Sequence, residues 1–437
     1  MALFTGLAQL SSLYLLNYLM ENFDAEVSGQ FGLIDSMVLM LSGIISFGVQ
    51  LSINRNVTAQ KNWRSNYNLG QSSRVYVSII ILAAGLLSIL WGWDKTKLVF
   101  LMAPFVALNG DYALYGHGKP IRASMLSFFR VGIPNFGVLA IIWFTDLDII
   151  TAYIVLLAVG IFNSGFFASK INEVSYLFLP SKKFLRFYLK YYKVGIFQMS
   201  SAFLITGILW FSRLFYELAV IGLVYGILKY FEVFKGVMRI LVQSYFKDIR
   251  LNTIALKIDK FGMIIGGFLI IPTIFYADVT LALIYEQTYK GLEWMMMLFG
   301  AAMVVASIKP SCDIRLLLMK RDNTNVLGYL SAGILAMVTV MIFSFSDYYM
   351  YGIPSAILLA EITLLIILGY KESGMSFFIH RLTFLLKLSP IFILILSLYL
   401  FTPKGIISLA TGCALYILFV SVLFRKVIFD RPVAKNT

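Results

Sequence analysis

Charged side chains are scarce in this sequence. They make up 13% of the 437 residues, whereas 60% of the residues are hydrophobic. A soluble domain has about 25% charged residues, so the composition excludes a water-soluble globular protein. The apolar residues form runs of about 20 residues, the length that crosses a hydrocarbon core about 30 Å thick. Many such runs in succession predict an all-α integral membrane protein, because helices satisfy their own backbone polar groups in lipid.

Cysteine and histidine are almost missing. Cys312 and Cys413 both fall in apolar segments, which gives no support to a disulfide framework, and we expect two inert buried thiols. His117 and His380 fall in polar connections far apart in the chain. The sequence shows no cluster of metal ligands, no phosphate-binding glycine loop and no catalytic motif. We therefore expect no metal, no cofactor and no enzymatic activity.

Apolar runs occur at fourteen places in the chain. We predict helices, with ends good to a few residues, at residues 2–20, 28–53, 75–93, 98–115, 123–144, 150–168, 194–213, 218–242, 261–277, 291–318, 326–345, 351–370, 388–402 and 405–424. Charged residues interrupt the apolar pattern at 277–291. Twelve spans with additional re-entrant or interfacial pieces is therefore the main alternative.

Lysine and arginine collect on one side of the predicted bundle. With the N-terminus in the cytoplasm, the inside segments hold 25 of them, and the outside segments hold only Lys95, Lys97, Lys290 and Lys404. Cytoplasmic loops of membrane proteins carry such an excess. The distribution predicts a multi-pass protein of the cell (inner or cytoplasmic) membrane with both termini inside. It also accounts for the net charge of +14 without a nucleic-acid partner.

Two predicted helices share a sequence pattern. Residues 6–12 and 195–201 are identical at four of seven positions, at an offset of 189, and this pairs Gln9 with Gln198. At an offset of 194, Asp35 in the second helix corresponds to Lys229 in the eighth. Both units start inside and run outward, so we predict a parallel duplication. Such lobes are related by an axis along the membrane normal, with the substrate site between them near the midplane.

The repeat sets the predicted domain boundaries. We expect an N-lobe at 1–168, a basic cytoplasmic linker at 169–193, a C-lobe at 194–370, and helices 13 and 14 with a cytoplasmic tail at 371–437. The linker ends in a segment that mixes Lys and Arg with Phe, Leu and Tyr at helical spacing. An amphipathic helix on the anionic cytoplasmic leaflet and a basic tether between two helices both remain open.

Charges inside the predicted spans mark the candidate site, because such charges are costly and usually face a polar cavity. At 100° per residue, a polar stripe on the eighth helix falls within an arc of about 120°. It contains Tyr225, Lys229, Glu232, Lys235 and Arg239. Pairing of Glu232 with a lysine three residues away is the structural alternative. Even then the stripe retains two extra positive charges, and we predict a water-filled cationic cavity.

Other charges within the spans are harder to place. Arg130 in the fifth helix has no evident partner, which favours a role in the cavity. Lys309 and Asp313 are predicted to form a structural pair, with Arg315 extending to the interface. Glu361 has no evident partner either, and both a protonatable group and a neutral buried acid remain open.

The sequence resembles the polysaccharide-exporting flippases, the O-antigen translocase type, of the multidrug/oligosaccharidyl-lipid/polysaccharide exporter superfamily. The resemblance rests on Gly29-Gln30-Phe31-Gly32 at the opening of helix two and on Phe47-Gly48 through Arg55 at its close. Arg213 at the outer end of helix seven and Gly222-Leu223-Val224-Tyr225 in helix eight match as well. In span count and loop polarity, it extends over essentially the whole chain.

The resemblance implies two six-helix lobes that form a V-shaped central cavity, with two extra C-terminal helices. It implies that the protein flips an undecaprenyl-diphosphate-linked oligosaccharide, an O-antigen, capsule or exopolysaccharide repeat unit, from the cytoplasmic to the outer leaflet by alternating access. Expected partners are this lipid-linked anionic oligosaccharide, membrane lipid, and polysaccharide polymerase and chain-length machinery, and we expect a monomer. Arg55, Arg213 and Arg250, the counterpart of Arg55 in the repeat, join the predicted diphosphate-binding cations.

Two other functions remain as alternatives. A multidrug or cation exporter of the same superfamily would need net acid in its cavity. A membrane-embedded polysaccharide polymerase or ligase would need an outer catalytic loop, and the predicted outer loops are short. The predicted substrate-binding set is Arg130, Lys229, Lys235, Arg239, Arg213, Arg55 and Arg250, and the predicted polar or coupling set is Asp35, Glu232, Gln9, Gln198, Tyr225 and Glu361.

Overall fold

The computed structural model describes residues 2–57, 63–245, 249, 251–285, 292–425 and 427. Within these ranges all regular secondary structure is helical, which confirms the predicted all-α membrane architecture. The chain forms two compact units, Met1–Gly226 and Ile227–Thr437. The predicted lobe boundaries remain a prediction.

The first unit contains eleven α-helices and the start of a twelfth among its described residues. They are α1 (Ala2–Asn22), α2 (Ala25–Ser46), α3 (Val49–Val57), α4 (Trp63–Trp91), α5 (Ala103–Leu108), α6 (Tyr112–Gly116), α7 (Pro120–Phe144), α8 (Ile149–Asn172), α9 (Phe184–Lys190), α10 (Tyr192–Ala202), α11 (Ile208–Ser212) and α12 (Leu218–Ser244). A 3-10 segment, Lys95–Met102, precedes α5, and a π-helical turn, Phe203–Gly207, joins α10 to α11. Helix α7 packs between α1 and α8.

The predicted second helix is broken in two. Phe47 and Gly48 have φ angles of 29° and 79°, so the chain leaves the right-handed helix between α2 and α3. The side-chain oxygen of Gln198 in α10 accepts the Gly48 N–H at 3.0 Å. The Tyr188 hydroxyl of α9 donates to the Ile45 carbonyl. A continuous helix over 28–53 was therefore wrong, because partners distant in sequence satisfy the backbone groups that the break exposes.

Helix α2 crosses the start of α12 at very close range. A Cβ atom on Gly29 would collide with the Leu218 backbone oxygen, and one on Gly222 with the Ala25 oxygen. Likewise, a Cβ on Gly32 would collide with the Tyr225 ring. Small residues permit this approach of two helices in a membrane. The same glycines that carry part of the family resemblance thus position Tyr225 against α2.

The linker between α8 and α10 contains the short helix α9. Its Phe187 side chain, together with Tyr191, packs into an apolar cluster of the first unit. On its other side, Leu185 and Leu189 are exposed. The predicted helix is thus present over part of the segment, and its contact with the membrane surface remains a prediction.

The second unit contains the rest of α12 and eight further α-helices among its described residues. They are α13 (Asn252–Ile270), α14 (Ala277–Tyr285), α15 (Glu293–Ser307), α16 (Cys312–Leu318), α17 (Asp322–Ser344), α18 (Gly352–Ser373), α19 (Met375–Phe401) and α20 (Ile406–Leu423). Helix α18 packs against α15, α17 and α19. Helices α19 and α20 close an apolar cluster on α13, and the Tyr416 hydroxyl donates to the Ile264 carbonyl at 2.8 Å.

Ten of the described helical segments are long and apolar enough to cross a membrane. Two further helical segments, 252–275 and 277–285, meet at a bend of 83° and raise the number to eleven if they form one span. The protein is therefore a multi-pass membrane protein. Segments α1, α10–α11 and α12 occupy the other three predicted positions but are not among these spans. The count of fourteen remains a prediction.

Several helices begin well before the predicted start. Helix α4 begins at Trp63 rather than 75, α13 at Asn252 rather than 261, and α19 at Met375 rather than 388. Each extension carries charged residues, so a hydropathy criterion detects only the apolar part. This shift moves Arg74, Asp259 and Arg381 from predicted loops into helices.

Candidate functional site

Asp35 lies at the centre of a polar site within the first unit. Its carboxylate accepts hydrogen bonds from the Tyr153 hydroxyl at 2.6 Å and the Tyr225 hydroxyl at 2.5 Å. The Tyr153 ring stacks on Phe31, one turn before Asp35, with ring centroids 4.5 Å apart. Three helices, α2, α8 and α12, thus converge on one acid. Two phenol donors stabilise the ionised carboxylate, since hydrogen bonds to a charged acceptor are about twice as strong as neutral ones.

Arg130 has a partner that the sequence did not indicate. Its guanidinium lies 2.5 Å from the Asp111 carboxylate, and its side chain is 33% exposed while that of Asp111 is 11% exposed. The interpretation of Arg130 as an unpaired cation was therefore wrong. The two residues lie on either side of the turn between α6 and α7, and hydropathy does not reveal that proximity. The Arg130 side chain nevertheless remains one-third exposed.

Arg74 is fully buried in the first unit and was missed as a candidate. Its guanidinium donates to the Gln71 side-chain oxygen at 2.5 Å and to the carbonyls of Asn109 and Val106 at 2.7 and 2.8 Å. These carbonyls lie at the C-terminal end of α5, where cations are favourable. The guanidinium also stands 5.4 Å from the Tyr112 ring centre. Arg74 therefore stabilises the broken helix 95–116. In the sequence, the only sign of this buried arginine is its place in a polar stretch directly before an apolar run.

Helix α12 is unbroken, so its polar stripe lies along one helix. In the second unit, Lys229 is buried and lies 3.0 Å from Glu232, one of the pairs expected from i,i+3 spacing. Arg239 is exposed. The pairing confirms the structural alternative for Lys229 and Glu232. Lys235 instead pairs with an acid on another helix.

Glu361 has two cationic partners within the second unit. Its carboxylate lies 2.5 Å from the Lys235 ammonium and 2.8 Å from the Lys309 ammonium. The side chains of Glu361 and Lys309 are each 5% exposed, whereas that of Lys235 is 23% exposed. Glu361 thus has two partners on other segments of the chain, whereas the sequence showed none, and its protonation remains open. Lys309 was not in the predicted set, and its i,i+4 spacing to Asp313 pointed to the wrong partner.

A second buried charge network joins four helices of the second unit. Arg381 of α19 pairs with Asp259 of α13 and lies 3.8 Å from Glu372 of α18. Glu372 also pairs with Arg315 of α16 and accepts from the Cys312 thiol at 2.9 Å. Arg315 therefore does not simply extend to the interface. Charges buried this completely are stable only when paired, so the network anchors α19 to α13.

The remaining candidates have separate locations. Arg213 is exposed at the end of α11 and donates to the Tyr216 carbonyl at 3.1 Å, Gln9 is half-buried in α1, and Gln198 supports the break after Phe47. The side chain of Arg55 and residue Arg250 lie outside the described residues. The two cysteines differ from the expected buried pair, since Cys312 is a buried thiol and Cys413 a half-buried one.

Comparisons with known proteins identify the fold. Neither a protein-family model nor a curated protein matches this chain. Among solved structures, the lipid II flippase MurJ in an inward closed conformation is 16% identical, with a TM-score of 0.68 over 98% of this chain and 99% of that chain. An inward-facing MATE multidrug resistance transporter of the MOP superfamily is 13% identical, with a TM-score of 0.60 over 88% and 96%. A eukaryotic MATE transporter is 12% identical, with a TM-score of 0.57 over 87% and 94%.

These similarities establish the fold class. The protein is an all-helical, multi-pass membrane protein with the fold that MurJ and the MATE transporters share. The proteins that it resembles are a flippase and transporters. At such identities the similarity concerns the fold, and the substrate has to be argued from the residues.

Proposed function

We propose that this protein is a flippase that moves a lipid-linked anionic oligosaccharide, an undecaprenyl-diphosphate-linked repeat unit of O-antigen, capsule or exopolysaccharide, from the cytoplasmic to the outer leaflet by alternating access. The observation that carries the proposal is the stripe of α12. Three cations, Lys229, Lys235 and Arg239, share one side of an unbroken helix with a single acid, Glu232, so the stripe keeps an excess of positive charge although Lys229 and Lys235 are ion-paired. A charged residue inside a membrane span is costly and is kept for function.

A diphosphate is the chemical group that suits such cations. It carries about two negative charges near neutral pH, and its transfer from water without counter-charges would cost many kcal/mol. Lysine and arginine donors offset that cost, and arginine presents several donors at once. Within the first unit, Arg130 is a separate candidate cation, one-third exposed beside Asp111.

The fold also supports a lipid-linked substrate. The solved structure that matches 98% of this chain is described as a lipid II flippase. The two MATE transporters match 87–88% of the chain. A drug or cation exporter remains the alternative function, since the MATE transporters share the fold. An exporter of cations would favour exposed acids, whereas Glu232 and Glu361 are each bound to lysine and the half-buried Asp35 accepts from two tyrosine hydroxyls.

The test replaces Arg130 and Lys229 singly by Ala and by Glu and measures polymer display on the cell surface at matched protein levels. We expect a moderate loss from the alanine variants and a near-complete loss from the glutamate variants, because a new anion repels the diphosphate. Lys404→Glu, at an exposed position between α19 and α20, is the matched control and should retain display. Undiminished display from both glutamate variants would rule out a cationic role in substrate binding.

A further inference from the structure

The Lys235–Glu361–Lys309 cluster of the second unit is asymmetric. One carboxylate bridges two ammonium groups, that of Lys235 in α12 and that of Lys309 in the connection between α15 and α16. Glu361 and Lys309 are nearly inaccessible, but Lys235 retains 23% of its side-chain exposure. The ring centre of Phe231, one turn earlier in α12, lies 5.3 Å from the Lys235 ammonium, which forms a cation–π contact with it. Lys235 is therefore the most accessible member of the cluster.

We propose that Glu361 is a resident anion that competes with the phosphate of the substrate for Lys235 and so limits how tightly that phosphate is held. The inference rests on the proposed function and adds the role of Glu361 and the participation of Lys309. In the empty protein, Lys235 is bound to Glu361. When a phosphate oxygen arrives, the flexible lysine turns toward it, while Lys309 keeps Glu361 in place.

The geometry supports different roles for the two lysines. Lys309 is as buried as its partner, so separation of the two would leave an uncompensated charge in the protein interior, which costs several kcal/mol. Lys235 has an exposed side and three N–H donors on a long stem. It can therefore contact a phosphate without removal of Lys309 from Glu361. Glu361 thus stays fixed, and Lys235 changes partner.

A second acid near the cluster, Asp313, also limits how tightly a phosphate is held. Asp313, four residues after Lys309, interacts electrostatically with Lys235 and Lys309 and accepts a hydrogen bond from the Tyr329 hydroxyl at 3.0 Å. With Asp313 included, two cations face two anions, so the empty cluster is neutral overall. An arriving phosphate gains Lys235 but is repelled by Glu361 and Asp313. This balance suits a transporter, since a transported ion must bind well enough to enter and weakly enough to leave.

The experiment measures binding of inorganic pyrophosphate to the full-length protein in lipid nanodiscs by isothermal titration calorimetry. Glu361→Gln keeps the shape of the side chain and removes the charge. We expect pyrophosphate affinity to rise on the order of tenfold, because removal of one adjacent charge is worth at least about 1.4 kcal/mol in a partly buried site. Lys235→Gln should lower the affinity by a similar factor, and the exposed Lys404→Gln should leave it unchanged.

A second variant guards against loss of folding in Glu361→Gln. The double variant Glu361→Gln with Lys309→Met removes one charge of each sign, so the cluster keeps its overall charge while Lys235 loses its resident anion. We expect this variant to bind pyrophosphate more tightly than the unmodified protein. Unchanged or weaker binding in both variants would overturn the inference, as would equal affinity in Lys235→Gln and the unmodified protein.

A separate measurement distinguishes this inference from the proposed function. Translocation of a lipid-linked oligosaccharide by the unmodified protein is followed in proteoliposomes. If the protein translocates the oligosaccharide but binds pyrophosphate equally well with and without the Glu361 charge, only the resident-anion inference is rejected. Absence of translocation would reject the proposed function itself. If both ideas hold, Glu361→Gln should translocate more slowly than the unmodified protein although it binds more tightly.

Discussion

The Tyr225 hydroxyl donates a hydrogen bond of 2.5 Å to the Asp35 carboxylate, and the Tyr225 ring lies directly against Gly32, one helical turn before Asp35. The contact joins α12 to α2 at a point where the two backbones are too close for a larger residue. A charged acceptor inside the protein is therefore held by a donor whose position depends on a glycine. Packing and electrostatics are linked at this single crossing.

Removal of the Tyr225 hydroxyl should weaken the first unit. We expect Tyr225→Phe to lower the free energy of unfolding by about 1.5–3 kcal/mol, because a hydrogen bond to a charged group contributes that much. In the Asp35→Asn background the same change should have a smaller effect. Thermal and denaturant unfolding of the purified protein measure both. Tyr14→Phe, at an exposed hydroxyl in α1, is the matched control, and strict additivity of Tyr225→Phe with Asp35→Asn would contradict the coupling.

Two glycines should respond oppositely to the same substitution. Gly222→Ala places a Cβ against the Ala25 backbone oxygen, which cannot move aside as a side chain can. We expect a loss of about 1–3 kcal/mol from such overpacking. Gly6→Ala in α1 meets nothing within 4 Å and should be neutral or stabilising by up to about 1 kcal/mol. Equal melting temperatures for the two variants would show that the close crossing of α2 and α12 does not form.

An ion pair on a connecting loop should make a small acid-sensitive contribution to stability. Burial acts to raise the pKa of Asp148, but the hydrogen bonds from Lys95 and Thr151 outweigh it, so its pKa lies below the ordinary value. The Lys95 ammonium stands 2.9 Å away. Because the folded-state pKa is depressed, the stabilisation is present above the unfolded-state pKa of about 3.9 and is lost as pH falls through the folded-state pKa.

Asp148→Asn tests this contribution without loss of the N-cap of α8, since Asn caps a helix as well as Asp does. The side chains of Lys95 and Asp148 are 50% and 41% exposed, so we expect a difference below about 1 kcal/mol near neutral pH. Unfolding experiments between about pH 6 and pH 3 should show the difference between the two proteins shrinking with acid. A difference that stays constant over this range would assign the effect to the cap rather than to charge.

Thiol labelling tests the predicted orientation. Lys183 in the linker and Asp347 after α17 are both exposed, and the excess of basic residues places the first in the cytoplasm and the second outside. In a Cys413→Ala background, an impermeant maleimide should label Asp347→Cys in intact cells. It should label Lys183→Cys only after the membrane is opened. Labelling of position 183 in intact cells would show that the predicted topology is inverted.

The sequence predicts most helices but not their irregularities. The helix over 123–144 matches α7 to within a few residues, because a long apolar run between polar loops has one stable conformation in lipid. The sequence does not predict the break at Phe47–Gly48. That break depends on Gln198 and Tyr188, each more than 140 positions away in the chain, and local hydropathy contains no information about them.

The sequence predicts the partners of charged residues only where both lie on one helix. The i,i+3 pair of Lys229 and Glu232 was foreseen because helical spacing alone brings the two together. Arg130 with Asp111 and Glu361 with Lys235 were not, because these partners lie on different segments of the chain. Charge pairing acts over a few ångströms in space, whereas spacing in the chain predicts proximity only within one helix.

Composition and periodicity by themselves determined that this chain is a bundle of membrane helices with cations inside it. The cause is the bilayer, which permits only self-satisfied backbone in its core and makes long apolar runs obligatory. Tertiary structure alone decided which charges are neutralised and which remain accessible. Glu361 lies between two lysines, and only Lys235 of the three keeps an exposed face, because the packing of α12, α15 and α18 sets those distances and hydropathy does not.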